Sequence, residues 1–176
     1  MALAPEVLFI NADYLKRFTH VNGSVEEAYI QPSVMLAQDK YVQSFLGTDL
    51  FNKLKTDIAS VGGLTGDYIT LVDNHVRRVT LWWTMLELVP RMHVRLDNGG
   101  LVIRISEDSQ PITKGDLNRE LDLARQNAQF YTDRMIDYLC QNSSLFPEYS
   151  SNSADDVRPE KKAYYVAGME ISNRGK

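Results

Sequence analysis

Apolar residues recur every three or four positions along most of the chain, which is the spacing of one face of an α-helix. The first long stretch of this kind follows Pro32 and ends at Gly47. Its apolar positions are Val34, Ala37, Tyr41 and Phe45. The pattern predicts a mainly α protein built as a helical bundle.

A second helix is predicted to begin directly after Gly47. Glycine can adopt the left-handed conformation that ends a helix without a Cβ penalty. Thr48 is a favoured N-cap, because its side-chain oxygen can accept a backbone N–H of the first turn. The apolar positions of the second helix are Leu50, Phe51, Leu54 and Ile58. The two helices are therefore expected to meet in a corner built for packing.

Two shorter elements precede this corner. Asn11 is a candidate cap for a short helix over Ala12 to Phe18. Another helix is predicted from Ser24, where acidic residues lie in the first turn and favour the helix dipole. Pro32 lacks a backbone N–H, so this helix is expected to kink or restart there.

A third long helix is predicted to open at Asp67. Its apolar positions are Tyr68, Val72, Val76, Val79, Trp83 and Leu86. Trp82 is adjacent to Trp83, so the two rings point about 100° apart and one should meet a second helix or a second subunit. Pro90 is expected to end or kink the helix.

The apolar period then changes from 3.6 to 2 over residues 101–106, which predicts a β-strand with Leu101, Ile103 and Ile105 on one side. Residues 92–96 are either the hairpin partner of this strand or the tail of the third helix, and five residues do not separate the two. The unpaired edge of such a β insertion is a template for the same element in another subunit.

The longest predicted helix covers about Lys114 to Gln141 and would be roughly 40 Å long. Its apolar residues follow a 4-3-4-3-4-3 spacing, which makes one continuous seam for a neighbouring antiparallel helix. The seam consists of Leu117, Leu121, Ala124, Ala128, Tyr131, Met135 and Tyr138.

The chain is predicted to divide into a helical domain over residues 1–149 and a flexible C-terminal arm over residues 150–176. The arm opens with a polar linker at Ser150 to Asp156 and then carries an apolar, aromatic segment at Ala163 to Ile171. That segment either engages a partner or folds back on its own domain. Its candidate partner-binding residues are Tyr164, Tyr165, Val166, Met169 and Ile171.

Composition narrows the classes of protein. The 176 residues are 44% hydrophobic and 24% charged, which is typical of a soluble globular domain. No apolar run is long enough for a membrane span, and Met1 to Pro5 lacks the basic start of a signal peptide, so synthesis in a reducing cytoplasm is expected. The net charge of -4 disfavours sequence-specific nucleic-acid binding.

Signals for catalysis are weak, and no enzyme activity, cofactor or metal is expected. His20, His75 and His93 lack the spacing of a metal site. The acidic pair Asp133 and Asp137 shares a helix face with no histidine beside it. The glycine pairs lack the residues of a phosphate loop. Cys140, the single cysteine, is expected to be a small buried hydrophobe that forms no internal disulfide.

Five arginines lie near the middle of the chain and could form a basic stripe that orients a partner. They are Arg77, Arg78, Arg91, Arg95 and Arg104. The alternative for each is a solvated helix face.

The order of these features resembles the head-to-tail connector, or adaptor, proteins of tailed bacteriophages, in particular the ring proteins of crAss-like phages. The resemblance covers about residues 8–149. The matching segments are Ile30 to Leu54, Tyr68 to Leu88, Gly99 to Glu107, Tyr138 to Asn142 and Phe146 to Tyr149.

The resemblance implies a helical bundle that assembles as a ring, commonly twelvefold, in the neck of the virion. Such a ring binds the portal protein, bridges it to the tail and neck proteins, and lines the channel for double-stranded DNA. The contacts would then come from the strand, with Leu101, Ile103, Arg104 and Ile105, and from the arm. An acidic balance suits a channel wall along which DNA slides.

A second function class stays open. A cytoplasmic helical adaptor or regulatory protein would bind one protein partner through its C-terminal tail and would be monomeric or dimeric. Its absence from purified particles would distinguish it from a connector.

Overall fold

The computed structural model describes residues 6–97, 100–103, 113–151, 156–160, 164–166 and 169–171, with the backbone alone from 93 to 103 and from 164 to 171. The protein is a mainly α helical bundle, as predicted. Its α-helices are α1 (Ala12–Phe18), α2 (Glu27–Ala37), α3 (Gln43–Leu46), α4 (Thr48–Ala59), α5 (Asp67–Leu71), α6 (Arg77–His93), α7 (Lys114–Gln141) and α8 (Pro147–Ser151).

Two π-helical segments join these helices into two longer rods. Gln38–Val42 links α2 to α3, and Val72–Val76 links α5 to α6. The first rod therefore covers residues 27–46 and the second covers residues 67–93. Short π segments are inserted within α-helices and are frequent at functional sites. The sequence pattern did not distinguish them from ordinary α-helix.

Pro32 lies inside α2, and the helix continues through it. The predicted restart at Pro32 is therefore wrong. Proline at this position leaves the carbonyl of Ala28 without its intrahelical donor, and Ala28 lies on the exposed side of the rod. Water can reach that carbonyl, which limits the cost.

Pro90 lies inside the last turn of α6, and the helix ends at His93. The helix therefore ends two residues beyond the predicted range of Leu86 to Arg91. Residues 92–96 belong partly to the helix and partly to the hairpin. Met92 and His93 are the last residues of α6, and Val94 begins the first strand.

The strands form two hairpins. β1 (Val94–Asp97) pairs antiparallel with β2 (Gly100–Ile103), and β3 (Tyr164–Val166) pairs antiparallel with β4 (Met169–Ile171). The β insertion predicted around residues 92–106 is thus confirmed over its described part. Residues 104–106 lie outside the described residues.

The core forms where α6 lies between the first rod and α7. Trp83 is 8% exposed, its ring stacks on Tyr41 with centroids 3.9 Å apart, and its indole N–H donates to Thr132 Oγ1 at 3.0 Å. Trp82 is half-buried and packs toward α1. Trp82 packs against both core clusters, including the one that contains Leu15 of α1, whereas Trp83 belongs to only one of them among the described residues.

Helix α7 has the predicted bounds, and the hydroxyl of Thr113 accepts the backbone N–H of Asp116 at its start. The predicted seam is fully buried at Ala124, Ala128 and Met135, while Leu121 is half-buried. The first third of α7 is mostly exposed.

Cys140 is exposed, so the prediction of a buried cysteine is wrong. Leu139 takes the buried position at this level of α7 with no exposed surface. Cys140 lies about 100° further around the helix and faces outward.

Candidate interaction surfaces

The corner between α3 and α4 turns at Gly47. Gly47 has φ 76° and ψ 157°, a region of backbone space open essentially to glycine alone. Its N–H donates to the carbonyl of Gln43 at 2.8 Å, and its carbonyl accepts the N–H of Phe51 at 3.0 Å. Gly47 therefore has the positive φ expected of a glycine at the end of a helix, but its ψ is extended and not left-handed helical.

Thr48 is the first residue of α4 and makes no cap bond within it, so the predicted N-cap is wrong. Gly47 occupies the N-cap position instead. The Thr48 hydroxyl donates to Asp156 Oδ2 at 3.0 Å and accepts the N–H of Val157 at 3.1 Å. The backbone N–H of Thr48 donates to the carbonyl of Val157 at 2.9 Å. The side chain thus binds a distant segment.

Residues 156–160, which we call the strap, lie against this corner. Gln43 Nε2 also donates to Asp156 Oδ2 at 3.2 Å, and the N–H of Glu160 donates to the carbonyl of Ser44 at 2.9 Å. Residues 156–160 of the predicted arm are thus bound to the helical body. Sequence reasoning missed these residues, because they are more than 100 positions apart and share no local pattern.

The N-terminal segment is held by the same rod. Gln38 has no exposed surface, and its Oε1 accepts the N–H of Phe9 at 2.6 Å while its Nε2 donates to the carbonyl of Val7 at 3.2 Å. Arg77 Nε donates to the carbonyl of Phe9 at 3.3 Å. A buried glutamine on a helix face that is otherwise apolar was the signal in the sequence for this contact.

An open groove of about 540 Å³ runs between α1, α6 and the first half of α7. Its apolar lining includes Phe18, which is 55% exposed, Trp82 and Leu123, which is 45% exposed. Arg17 and His20 lie at its rim. Sequence reasoning missed the groove, because its lining is divided among three helices that are distant in the sequence.

Glu87 bridges the two rods. Its Oε1 accepts from Lys40 Nζ at 2.9 Å and from the Tyr41 hydroxyl at 2.8 Å, and Arg91 lies 3.9 Å from Oε2. Burial raises the pKa of Glu87, but the bonds from Lys40 and Tyr41 outweigh burial and hold that pKa below its usual value. The carboxylate is arranged for an ionic contact between helices.

The arginines predicted as one basic stripe have separate contacts where their side chains are described. Arg77 pairs with Asp73 at 2.6 Å, and Arg91 pairs with Glu87. The guanidinium of Arg78 lies 5.9 Å from the ring centroid of Tyr131. The side chains of Arg95 and Arg104 lie outside the described residues.

His75 stacks on Tyr138 with ring centroids 4.3 Å apart. Burial first, and then the nearby Arg134 and Arg78, lower the pKa of His75. The neutral imidazole therefore acts as an aromatic packing surface between the second rod and α7 at neutral pH.

The predicted partner-binding residues belong to the two hairpins. Leu101 and Ile103 lie on β2, Tyr164, Tyr165 and Val166 on β3, and Met169 and Ile171 on β4. Arg104 and Ile105 lie outside the described residues. The backbone pairing brings Leu101 opposite Leu96, and Tyr164 opposite Ile171.

Within the described ranges, no group of three or more metal-ligating side chains comes together. No described helix is long and apolar enough to cross a membrane.

Residues 42–158, more than half of the chain, match the sequence model of a family described as "Family of unknown function (DUF6712)". The match includes the corner, α6, α7 and the first strap residues. No curated protein and no solved structure matches the chain significantly.

Proposed function

This chain belongs to DUF6712, a family of unknown function, and we propose that it is a structural head-to-tail connector that forms a ring in the neck of a phage virion. In this role it binds the portal protein on one side and tail or neck proteins on the other. The ring lines a channel through which double-stranded DNA passes without sequence-specific contacts.

The observation that carries the proposal is the division of charge between the last 19 residues, which are the end of the arm, and the rest of the chain. Residues 158–176 contain five Lys and Arg against two Asp and Glu, a net charge of +3. Residues 1–157 contain 14 Lys and Arg against 21 Asp and Glu, a net charge of -7. The basic, aromatic end of the arm complements the acidic remainder of the chain, which favours contacts between one copy and the next.

The corner supports the same proposal. The strap fixes the point from which the remaining arm leaves the body, so every copy presents β3 and β4 from an equivalent place. A heterologous contact repeated around a closed ring requires this kind of fixed geometry. The resemblance over residues 8–149 implies that the expected assembly is a ring bound to the portal protein.

The test uses the purified full-length chain. Mass photometry and negative-stain electron microscopy should show a closed ring of about twelve copies, the number implied by the resemblance. Mass spectrometry should also detect the chain in purified particles. A stable monomer or dimer that is absent from particles would contradict the connector and favour the helical adaptor.

Deletion of residues 161–176 separates the arm from the fold. The deleted chain keeps the strap, so helical circular dichroism should be unchanged while particle assembly is lost. Normal particle assembly by this variant would refute a role for the arm.

A further inference from the structure

Two exposed helix stripes have the same spacing and complementary chemistry. On α2 and the following π segment, Ala28, Pro32, Met35 and Asp39 are all exposed and follow a 4-3-4 spacing. On α7, Leu123, Asn127, Phe130 and Arg134 follow the same 4-3-4 spacing, and three of the four are exposed. A 4-3-4 spacing places side chains in one line along a helix.

Both stripes carry large apolar side chains in water. Met35 is 44% exposed and Phe130 is 56% exposed. Tyr29, beside the first stripe, is 46% exposed, and Leu123, in the second, is 45% exposed. Isolated exposed apolar residues are ordinary, but lines of them on two helices are typical of interaction surfaces.

The charges of the two stripes are opposite. The α2 stripe starts beside Glu26 and Glu27 and ends at Asp39, all three of them exposed. The α7 stripe ends at Arg134, whose guanidinium lies 5.8 Å from the Phe130 ring centroid. The groove next to Leu123 is lined by Arg17 and Glu120, so the difference in charge lies at the ends of the stripes. A stripe that ends in a carboxylate therefore faces outward on one helix, and an aromatic stripe that ends in a guanidinium faces outward on another.

The directions of the two helices also agree. Lys40 contacts Glu87 while Phe45 contacts Trp83, so the first rod is antiparallel to α6. Trp83 contacts Thr132 while His75 contacts Tyr138, so α7 is antiparallel to α6 as well. The first rod and α7 consequently run in the same direction.

We propose that the α2 stripe of one copy packs in parallel against the α7 stripe of the next copy, and that this contact closes the ring. The inference rests on the ring of the proposed function and names its interface. Rotation about an axis along the bundle preserves helix direction, so neighbouring copies meet with these two helices parallel.

The parallel register pairs the stripes residue by residue. When Ala28 lies beside Leu123, the common spacing brings Met35 to Phe130 and Asp39 to Arg134. A thioether against an aromatic ring and a carboxylate against a guanidinium are both favourable contacts. Tyr29 then lies next to the groove, which is wide enough for an aromatic side chain.

The first test uses Met35→Asp and Phe130→Asp in the full-length chain. Each variant should keep its helical circular dichroism, since both positions are exposed, and should weaken self-association by about 100-fold because a carboxylate replaces an apolar contact. Ile69→Asp is the matched control, because Ile69 is 43% exposed and lies outside both stripes. That variant should assemble normally.

A mixture of the two variants gives the distinguishing result. Met35→Asp retains an intact α7 stripe and Phe130→Asp retains an intact α2 stripe, so an equimolar mixture should form a one-to-one dimer that does not grow. An isologous contact through α7 alone would leave Met35→Asp fully assembled and would overturn the proposal.

Charge exchange supplies an independent check. Asp39→Arg or Arg134→Asp alone should weaken assembly, and the double variant should restore it. No recovery in the double variant would contradict the register. Rings that persist in every variant would refute this interface and leave the connector standing, whereas a wild-type chain that stays monomeric would contradict the ring itself.

Discussion

The N-terminal segment and the strap are both held by residues on the first rod or at the corner that follows it, but by different kinds of contact. The N-terminal segment is bound by Gln38, which has no exposed surface and satisfies two backbone groups. The strap is bound by Thr48, which is 8% exposed, through its own exposed Asp156. The contact at Gln38 therefore belongs to the core, whereas the contact at Thr48 lies at the edge of the core.

The largest effect is expected from Gln38→Ala. The substitution leaves the buried N–H of Phe9 and the part-buried carbonyl of Val7 without these partners, and an unsatisfied buried group costs about 1–3 kcal/mol. We expect the free energy of unfolding, measured by urea denaturation, to fall by about 3 kcal/mol.

Gln31→Ala is the control on the same helix, because Gln31 is exposed and bonds only to Glu27 among the described residues. Its effect should stay within about 0.5 kcal/mol. Equal losses for the two variants would abolish the distinction between a core contact and a marginal one.

Gly47→Ala should have the next largest effect. Alanine at φ 76° and ψ 157° is strained, which costs about 1–3 kcal/mol. Thermal unfolding should show a lower midpoint, together with weaker protection of the strap. Gly62→Ala, where an added Cβ meets nothing within 4 Å, should leave both unchanged.

Thr48→Ala should release the strap and leave the core intact. The variant removes the hydroxyl that bonds Asp156 and Val157, at a cost of about 1 kcal/mol. Hydrogen exchange should accelerate at the amides of Val157 and Glu160 but not at that of Phe9. Thr56→Ala, at an exposed site on the same helix, should change none of these rates.

The smallest effect concerns pH. The pKa of Glu87 is lower in the folded state, so its contribution is present above the unfolded pKa of about 4.3 and disappears as pH falls through the folded pKa. Glu87→Gln should flatten the dependence of stability on pH below about pH 4.5, by less than about 1 kcal/mol. An unchanged slope would show that Glu87 is not the group that titrates.

Local signals in the sequence predicted much of the helical framework. Asn11 caps α1 as expected, and the bounds of α7 follow from its apolar seam and from Thr113. Such signals work because caps and amphipathic faces are properties of a few consecutive residues. The bundle class was correct for the same reason.

The remaining features depend on contacts between distant residues. Thr48 is of a residue type that is favoured at the helix N-cap. Its hydroxyl instead binds Asp156, because the fold brings the strap to the corner. Pro32 reads as a helix breaker, yet tertiary packing of Ile30 and Val34 holds the rod together across it. The groove and the paired stripes likewise exist only once the helices have packed.

The strap also has a mechanical consequence. A tensile load on the residues after Glu160 meets the bond to Ser44 first and the bonds at Thr48 afterwards, so the contacts break one at a time. Once these bonds are broken, residues 156–160 can straighten to at most about 3.3–3.6 Å each. Under force, the strap would thus detach from the corner and extend while the helical body stays folded.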